Sequence, residues 1–111
     1  MATITQEALT LICRDHGKWL KDRKTGVKAN VRGIDLSGLL FQGADLTEST
    51  WLSCNMTGCD LTKVVLRLAK LNNCNLTGAK LISADLNSCD IRGVKLTNAD
   101  LTNTDLRNVL K

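Results

Sequence analysis

Stepping five residues at a time from Val31, the chain is apolar at every step: Val31, Leu36, Phe41, Leu46, Trp51, Met56, and onward to Leu101 and Leu106, sixteen positions without an exception. The residue two before each is mostly small or aliphatic, as at Ala44, Cys54, Cys59, Ala69, Ala84 and Ala99. Asp, Asn or Lys usually stands just before the apolar residue, and Gly, Asn or Ser often two after it. An internal repeat of this length constrains the fold more than any other feature of the chain.

A plain helix cannot carry it. At about 100° per residue, positions five apart advance by roughly 140° and spread around the circumference, so no apolar face forms. A flat strand fails too, because side chains alternate sides and an odd period sends Leu36 and Phe41 to opposite faces. The chain therefore turns within each pentad. With a quarter turn per repeat, the large apolar residue and the small one two before it both point inward. The corners then fall on Gly33, Gly38, Gly43, Gly58, Asn73, Gly78, Gly93, Asn98 and Asn103, types that tolerate left-handed backbone. Four pentads close a coil of twenty residues, and coils stack at about 4.8 Å. The expected architecture is an all-β solenoid, a quadrilateral β-helix of four coils.

The best copies of the pattern are Ala44-Asp45-Leu46-Thr47, Ala84-Asp85-Leu86-Asn87 and Ala99-Asp100-Leu101-Thr102, followed by Cys74-Asn75-Leu76-Thr77-Gly78 and Cys59-Asp60-Leu61-Thr62. They resemble the A(D/N)LXX motif of the pentapeptide-repeat family over residues 29–108. That resemblance implies a right-handed quadrilateral β-helix. It also raises the question of DNA mimicry, since some members protect type II topoisomerases with an acidic rod.

Residues 1–28 lie outside the period and read as a helical cap and loop. Residues 3–20 look helical: Thr3 and Gln6 can form a capping box, and Ile4, Ala8, Leu11 and Ile12 recur at helical spacing. Such a helix would cover the first coil, as solenoid ends require. Trp19 and Leu20 are expected to seal this lid, and residues 21–26 to form a solvated loop. His16, the only histidine, is read as a basic loop neighbour or cap residue. The stretch His16-Gly17-Lys18-Trp19-Leu20 leading into Ala29-Asn30-Val31-Arg32-Gly33 resembles the capped start of short bacterial and phage pentapeptide proteins.

Residues 109–111 read as a short tail, leaving the last coil without a lid. A two-fold homodimer through Leu101, Leu106, Val109 and Leu110 is expected, the alternative being that Val109 and Leu110 fold over their own coil.

The sequence contains no apolar run of about 20 residues and no secretory leader pattern, so a cytoplasmic protein without a membrane segment is expected. Five cysteines without a CxxC pair read as reduced, buried thiols. Cys54 and Cys74, twenty apart, should be stacked neighbours that stay unbridged in a reducing compartment. No catalytic pattern surrounds His16, and no cofactor or metal is expected. The net charge of +4 comes mainly from the N-terminal segment, with six bases against three acids in residues 1–28, while residues 29–108 hold eight of each. Direct nucleic-acid binding is therefore not expected.

Two surface features stand out. Val65 and Leu68 occupy outward positions flanked by Lys63, Arg67 and Lys70, a candidate partner-binding patch. Asp45, Val65, Asp85 and Asp105 share one outward column, with Glu48 beside its start, a candidate acidic column interrupted by Val65. The expected function is a non-enzymatic protein-binding module of bacterial or phage type. The alternatives are an inhibitor or DNA mimic acting on a topoisomerase or a host defence nuclease, of anti-restriction or anti-CRISPR type, and a purely structural repeat protein.

Overall fold

In the computed structural model, which describes residues 1–111, the chain enters as a two-residue strand, β1 (Ala2–Thr3), and continues into one helix, α1 (Gln6–Lys21). It then winds into a stack of short parallel segments, of which β2 (Asn30–Arg32), β3 (Ile34–Asp35) and β4 (Thr50–Leu52) are long enough to count as strands. Every pairing in the stack is parallel with a register of twenty, from Asn30 opposite Thr50 to Asp90 opposite Leu110. The register follows from the side chains: a slip of one residue would turn the buried row outward.

The corners repeat with the same geometry. The N–H of Leu39 donates to the Leu36 carbonyl at 3.1 Å, and equivalent bonds recur from Ala44 to Phe41 through Thr104 to Leu101, the Trp51–Cys54 corner alone lacking one. The third residue of each turn has positive φ, sixteen times in succession from Gly33 to Asn108. At most corners that is the arrangement of a type II turn, in which only the third residue is left-handed; at the Phe41–Ala44 corner Gln42 is left-handed as well, with φ +51. Glycine and asparagine at many of these positions explain why the chain can bend every five residues.

The buried row that the period marks out is the core. From Leu36 to Leu86 each fifth residue is fully or almost fully buried, and the small positions pack between them. Several small-position side chains that carry a proton donate it to the coil above: Cys59 Sγ to Leu36 O at 3.0 Å, Cys74 Sγ to Trp51 O at 3.1 Å and Thr104 Oγ1 to Leu81 O at 2.7 Å. This explains why Cys and Thr are accepted where Ala is commonest. All five cysteines are free, Cys54 and Cys74 included. Burial pushes Cys59 up to about 11 and Cys89 up to about 12, so these thiols stay protonated.

The one bulky exception in the interior has its own partner. Trp51 is fully buried and stacks edge-on against Phe41 at 5.5 Å. Its indole N–H donates to Ser49 Oγ at 2.7 Å, which accounts for a buried serine two residues before it.

The N-terminal end departs from the sequence expectation in three ways. Thr3 does not cap the helix: it lies in β1, which pairs in parallel with β3 (Ala2 opposite Ile34, Thr3 opposite Asp35). The N-cap is Thr5, whose Oγ1 accepts from Ala8 N–H at 3.1 Å. The helix residues buried against the solenoid are Leu9 and His16, whereas Trp19 and Leu20 are only partly buried. Trp19 stacks instead beneath the Arg23 guanidinium at 3.9 Å, outside the core.

His16 is an interior clamp, not a loop residue. It is 0% exposed, its Nε2 donates to Thr47 O at 2.8 Å, and its Nδ1 accepts from Ala29 N–H at 2.9 Å. That pair of bonds requires the neutral ring protonated at Nε2. Burial lowers its pKa below the ordinary 6.5. At the C-terminal end the ladder runs beyond 108, since Leu110 N–H donates to Cys89 O and Ile91 N–H donates to Leu110 O. Val109 and Leu110 extend the last coil and do not fold over it.

Two measurements check these assignments. Ser49→Ala strands the Trp51 N–H in the core and is expected to cost about 1–3 kcal/mol in urea unfolding; an unchanged midpoint would remove the bond from the account. Because His16 is neutral when folded while the unfolded chain takes up a proton near 6.5, its contribution is complete above that pH and shrinks as pH falls below it. The urea midpoint should therefore drop between about pH 7.5 and about pH 5, and His16→Gln should flatten that dependence.

Candidate interaction surface

The outward residue just before each buried apolar side chain has a local task. Asp45 Oδ1 accepts from Thr47 N–H at 3.1 Å and from Thr47 Oγ1 at 2.6 Å. The same bond to the N–H two residues on recurs at Asn55, Asp60, Asn75, Asp85, Asp90, Asp100 and Asp105. Asp and Asn thus tie down a corner N–H that points away from the ladder, as Asx side chains do in turns. The hydroxyl and N–H of Thr62 hold the Asp60 carboxyl below the ordinary range, and those of Thr102 do the same for Asp100. An acidic residue at this position is first of all a corner fastener.

The acidic column exists as geometry but not as a rail of free charge. Asp45, Val65, Asp85 and Asp105 lie side by side in one ladder. Asp85 is paired with Arg67 at 3.0 Å, Asp105 with Arg107 at 2.9 Å, and Glu48 with Arg23 at 3.0 Å. The Arg107 side chain grips Asp105 through two parallel bonds and holds its carboxyl well below the usual range. Of the column candidates, Asp45 alone has no ion-pair partner.

The Val65 and Leu68 patch spans one face and its two corners. Val65 sits between Asp45 and Asp85, Lys70 sits in the next ladder between Thr50 and Asp90, and Lys63 and Leu68 are the left-handed residues of the flanking corners. Leu68 is 58% exposed, and Lys63 and Lys70 are exposed and unpaired. Arg67 is committed to Asp85 and is less free than its sequence position suggests.

Leu68 breaks the corner rule. Its φ is +60, in a series where Gly or Asn holds ten of sixteen corners. A side chain with a Cβ costs about 1–2 kcal/mol in this conformation. The outward apolar side chain was legible in the sequence; its strained backbone follows only from the period of the corners.

At the C-terminal end Leu101, Leu106 and Val109 are inward but only partly buried, because no further coil covers them. Leu110 instead follows Asp90 on an outward ladder and is 54% exposed, so it does not belong to the same end face.

An unbroken parallel stack with one corner per five residues defines a pentapeptide solenoid, and the comparisons agree. The sequence profile of pentapeptide repeats matches in eight copies across residues 40–78 and 69–108. The chain belongs to the pentapeptide-repeat family, whose members form right-handed quadrilateral β-helices. No curated protein matches it in sequence. Among solved structures, full-length QnrB1, a plasmid-mediated fluoroquinolone resistance protein, superposes with a TM-score of 0.60 at 16% identity, covering 76% of this chain and 48% of QnrB1. This chain therefore spans about half of QnrB1. The pentapeptide-repeat protein alr5209 from Nostoc Pcc 7120 superposes with a TM-score of 0.51 at 24% identity, covering 97% of this chain and 75% of that one.

Leu68→Asn places at this corner the residue found at Asn73, Asn98, Asn103 and Asn108, and is expected to raise unfolding stability by about 1 kcal/mol. Thermal or urea unfolding reads it directly, and a loss of stability would refute the claim of corner strain.

Proposed function

We propose that this protein is a non-enzymatic interaction module: a four-coil β-helix, capped at its N-terminus by α1, that binds a protein partner through the face carrying Val65 and Leu68. The observation that supports the reading is the exposed leucine at a left-handed corner. Strained backbone persists where something other than stability maintains it, and here it coincides with an apolar pair framed by two unpaired lysines. A partner surface with an apolar centre and acidic rim fits this face. Five free thiols accord with a reducing, cytoplasmic setting.

The family resemblance makes topoisomerase protection by DNA mimicry a natural comparison, yet the surface here argues for a different mode. Duplex DNA presents one charge per about 1.7 Å of axis, whereas the Asp column is interrupted by Val65 and its remaining carboxylates are largely engaged by arginines. An end-to-end homodimer through Leu101, Leu106 and Val109 is compatible with the same reading, since it leaves the Val65 face free.

The test uses Leu68→Asn and Val65→Lys together with wild type. Both variants should fold, the first more stably than wild type, and both should lose capture of the wild-type partner by at least about tenfold, as expected for loss of a buried apolar anchor. Capture that survives both substitutions would dismiss this face, and capture abolished by added duplex DNA would favour the mimic instead. Light scattering at micromolar concentration separates dimer from monomer.

A further inference from the structure

The first coil of a solenoid presents four bare edges toward its N-terminal end, and three of them are engaged here by three different devices, one of which reaches only a single carbonyl. β1 pairs with Ile34–Asp35 as a strand. The Gln6 side-chain amide pairs with Leu40 in both directions, Nε2 donating to Leu40 O at 2.7 Å and Oε1 accepting from Leu40 N–H at 2.8 Å, so that it imitates a peptide unit of a missing coil. His16 Nε2 donates to Thr47 O, while the backbone N–H and carbonyl of Asp45 on that same edge face the position of a preceding coil without a partner. The fourth edge, β2, is hydrogen-bonded to β4 on one side and to nothing on the other.

What that edge offers is set by the repeat. Thr50, Lys70 and Asp90 each donate their N–H to the coil above, through Ala29 O, Ser49 O and Ala69 O. Trp51 and Leu71 each donate to a carbonyl one coil below, Lys70 O and Asp90 O, and the carbonyls of Leu52, Asn72 and Arg92 accept from Gly33, Ser53 and Asn73. By the same pattern the N–H and carbonyl of Asn30 and the carbonyl of Arg32 face the position of a preceding coil and have no partner. They alternate along the edge as donor and acceptors, the pattern a parallel strand satisfies.

The space beside these groups is a trough. A cavity of about 470 Å³ is lined by Ile4, Ile12, Val31 and Ile34 with Asn30 and Arg32 at its lip. A second, of about 210 Å³, continues from Ile12 and Val31 over Val27 and Lys28. The floor is apolar, and the charged residues that line the trough are Lys28, Arg32 and Asp15, two bases against one acid.

The geometry points to strand addition at this edge: β2 takes an extended peptide in parallel register, with a β-branched residue over Val31 and Ile12 and acidic residues at its ends facing Lys28 and Arg32. The chain's own β1 shows that a segment only two residues long is held on the adjoining edge. Main-chain bonds supply affinity and the trough selects the alternate side chains, as in other sheet-edge recognition. This surface lies at the opposite end of the molecule from the last coil and is separate from the Val65 face, so its fate does not depend on the function proposed above.

The test is binding of a synthetic peptide, acetyl-Asp-Ser-Val-Thr-Ile-Ser-Asp-amide, followed by amide NMR and hydrogen exchange on the full chain. The expected result is a shifted and slowed Asn30 N–H, with Thr50 and Lys70 N–H unchanged. N-methylating one pairing amide of the peptide should weaken binding about tenfold, the value of one lost hydrogen bond, without touching the protein. Arg32→Glu should weaken it as well, while Leu68→Asn should not. An Asn30 N–H unmoved at millimolar peptide overturns the proposal, as does equal binding of the N-methylated peptide.

Discussion

Everything in this molecule hangs on a backbone that satisfies its hydrogen bonds twenty residues away. Apart from the corner bonds, a parallel coil has no partner within its own turn, so each straight segment depends on the segment above and the one below. The apolar side chain at every fifth residue fixes which segment that is, because only the twenty-residue register keeps Leu36, Met56 and Leu76 in one interior column. Burial sets the register, and the register then supplies the bonds.

The same dependence makes the ends the most informative parts of the chain. Interior coils repeat their solutions: a donor at the small position reaching a carbonyl above, and an Asx oxygen holding a corner N–H. The first coil cannot, and the chain engages it with a strand, a glutamine amide and an imidazole, three groups with nothing in common except the ability to stand in for a peptide. The buried imidazole couples the lid to pH, since its bonds to Ala29 and Thr47 need the neutral ring. Where no group stands in, at β2, the structure retains a strand edge with the shape and charge to accept one.

Departures from the repeat carry the functional argument for the same reason. Asp before the buried leucine serves the corner, so a column of aspartates says little about a ligand, and the arginines beside it absorb much of its charge. Leu68 serves neither corner nor core. It is exposed, its backbone is of the kind that glycine and asparagine adopt most easily, and it lies next to the one aliphatic residue in the Asp column.

The period of five, read without coordinates, determined the buried row, the corner positions and the placement of Val65 among the aspartates, because these depend only on spacing and side-chain volume. It located Leu68 as an outlier but not the strain it carries. The sequence could not determine what His16, Gln6 and Thr3 do. Local helical spacing suggested a capping box, whereas Thr3 pairs through its backbone with Asp35, and the side chains of Gln6 and His16 find their partners at Leu40 and Thr47, all about thirty residues on. Those contacts exist only once the solenoid has turned its first edge toward the helix, so the engagement of three edges, and the openness of β2, were decided by the tertiary structure alone.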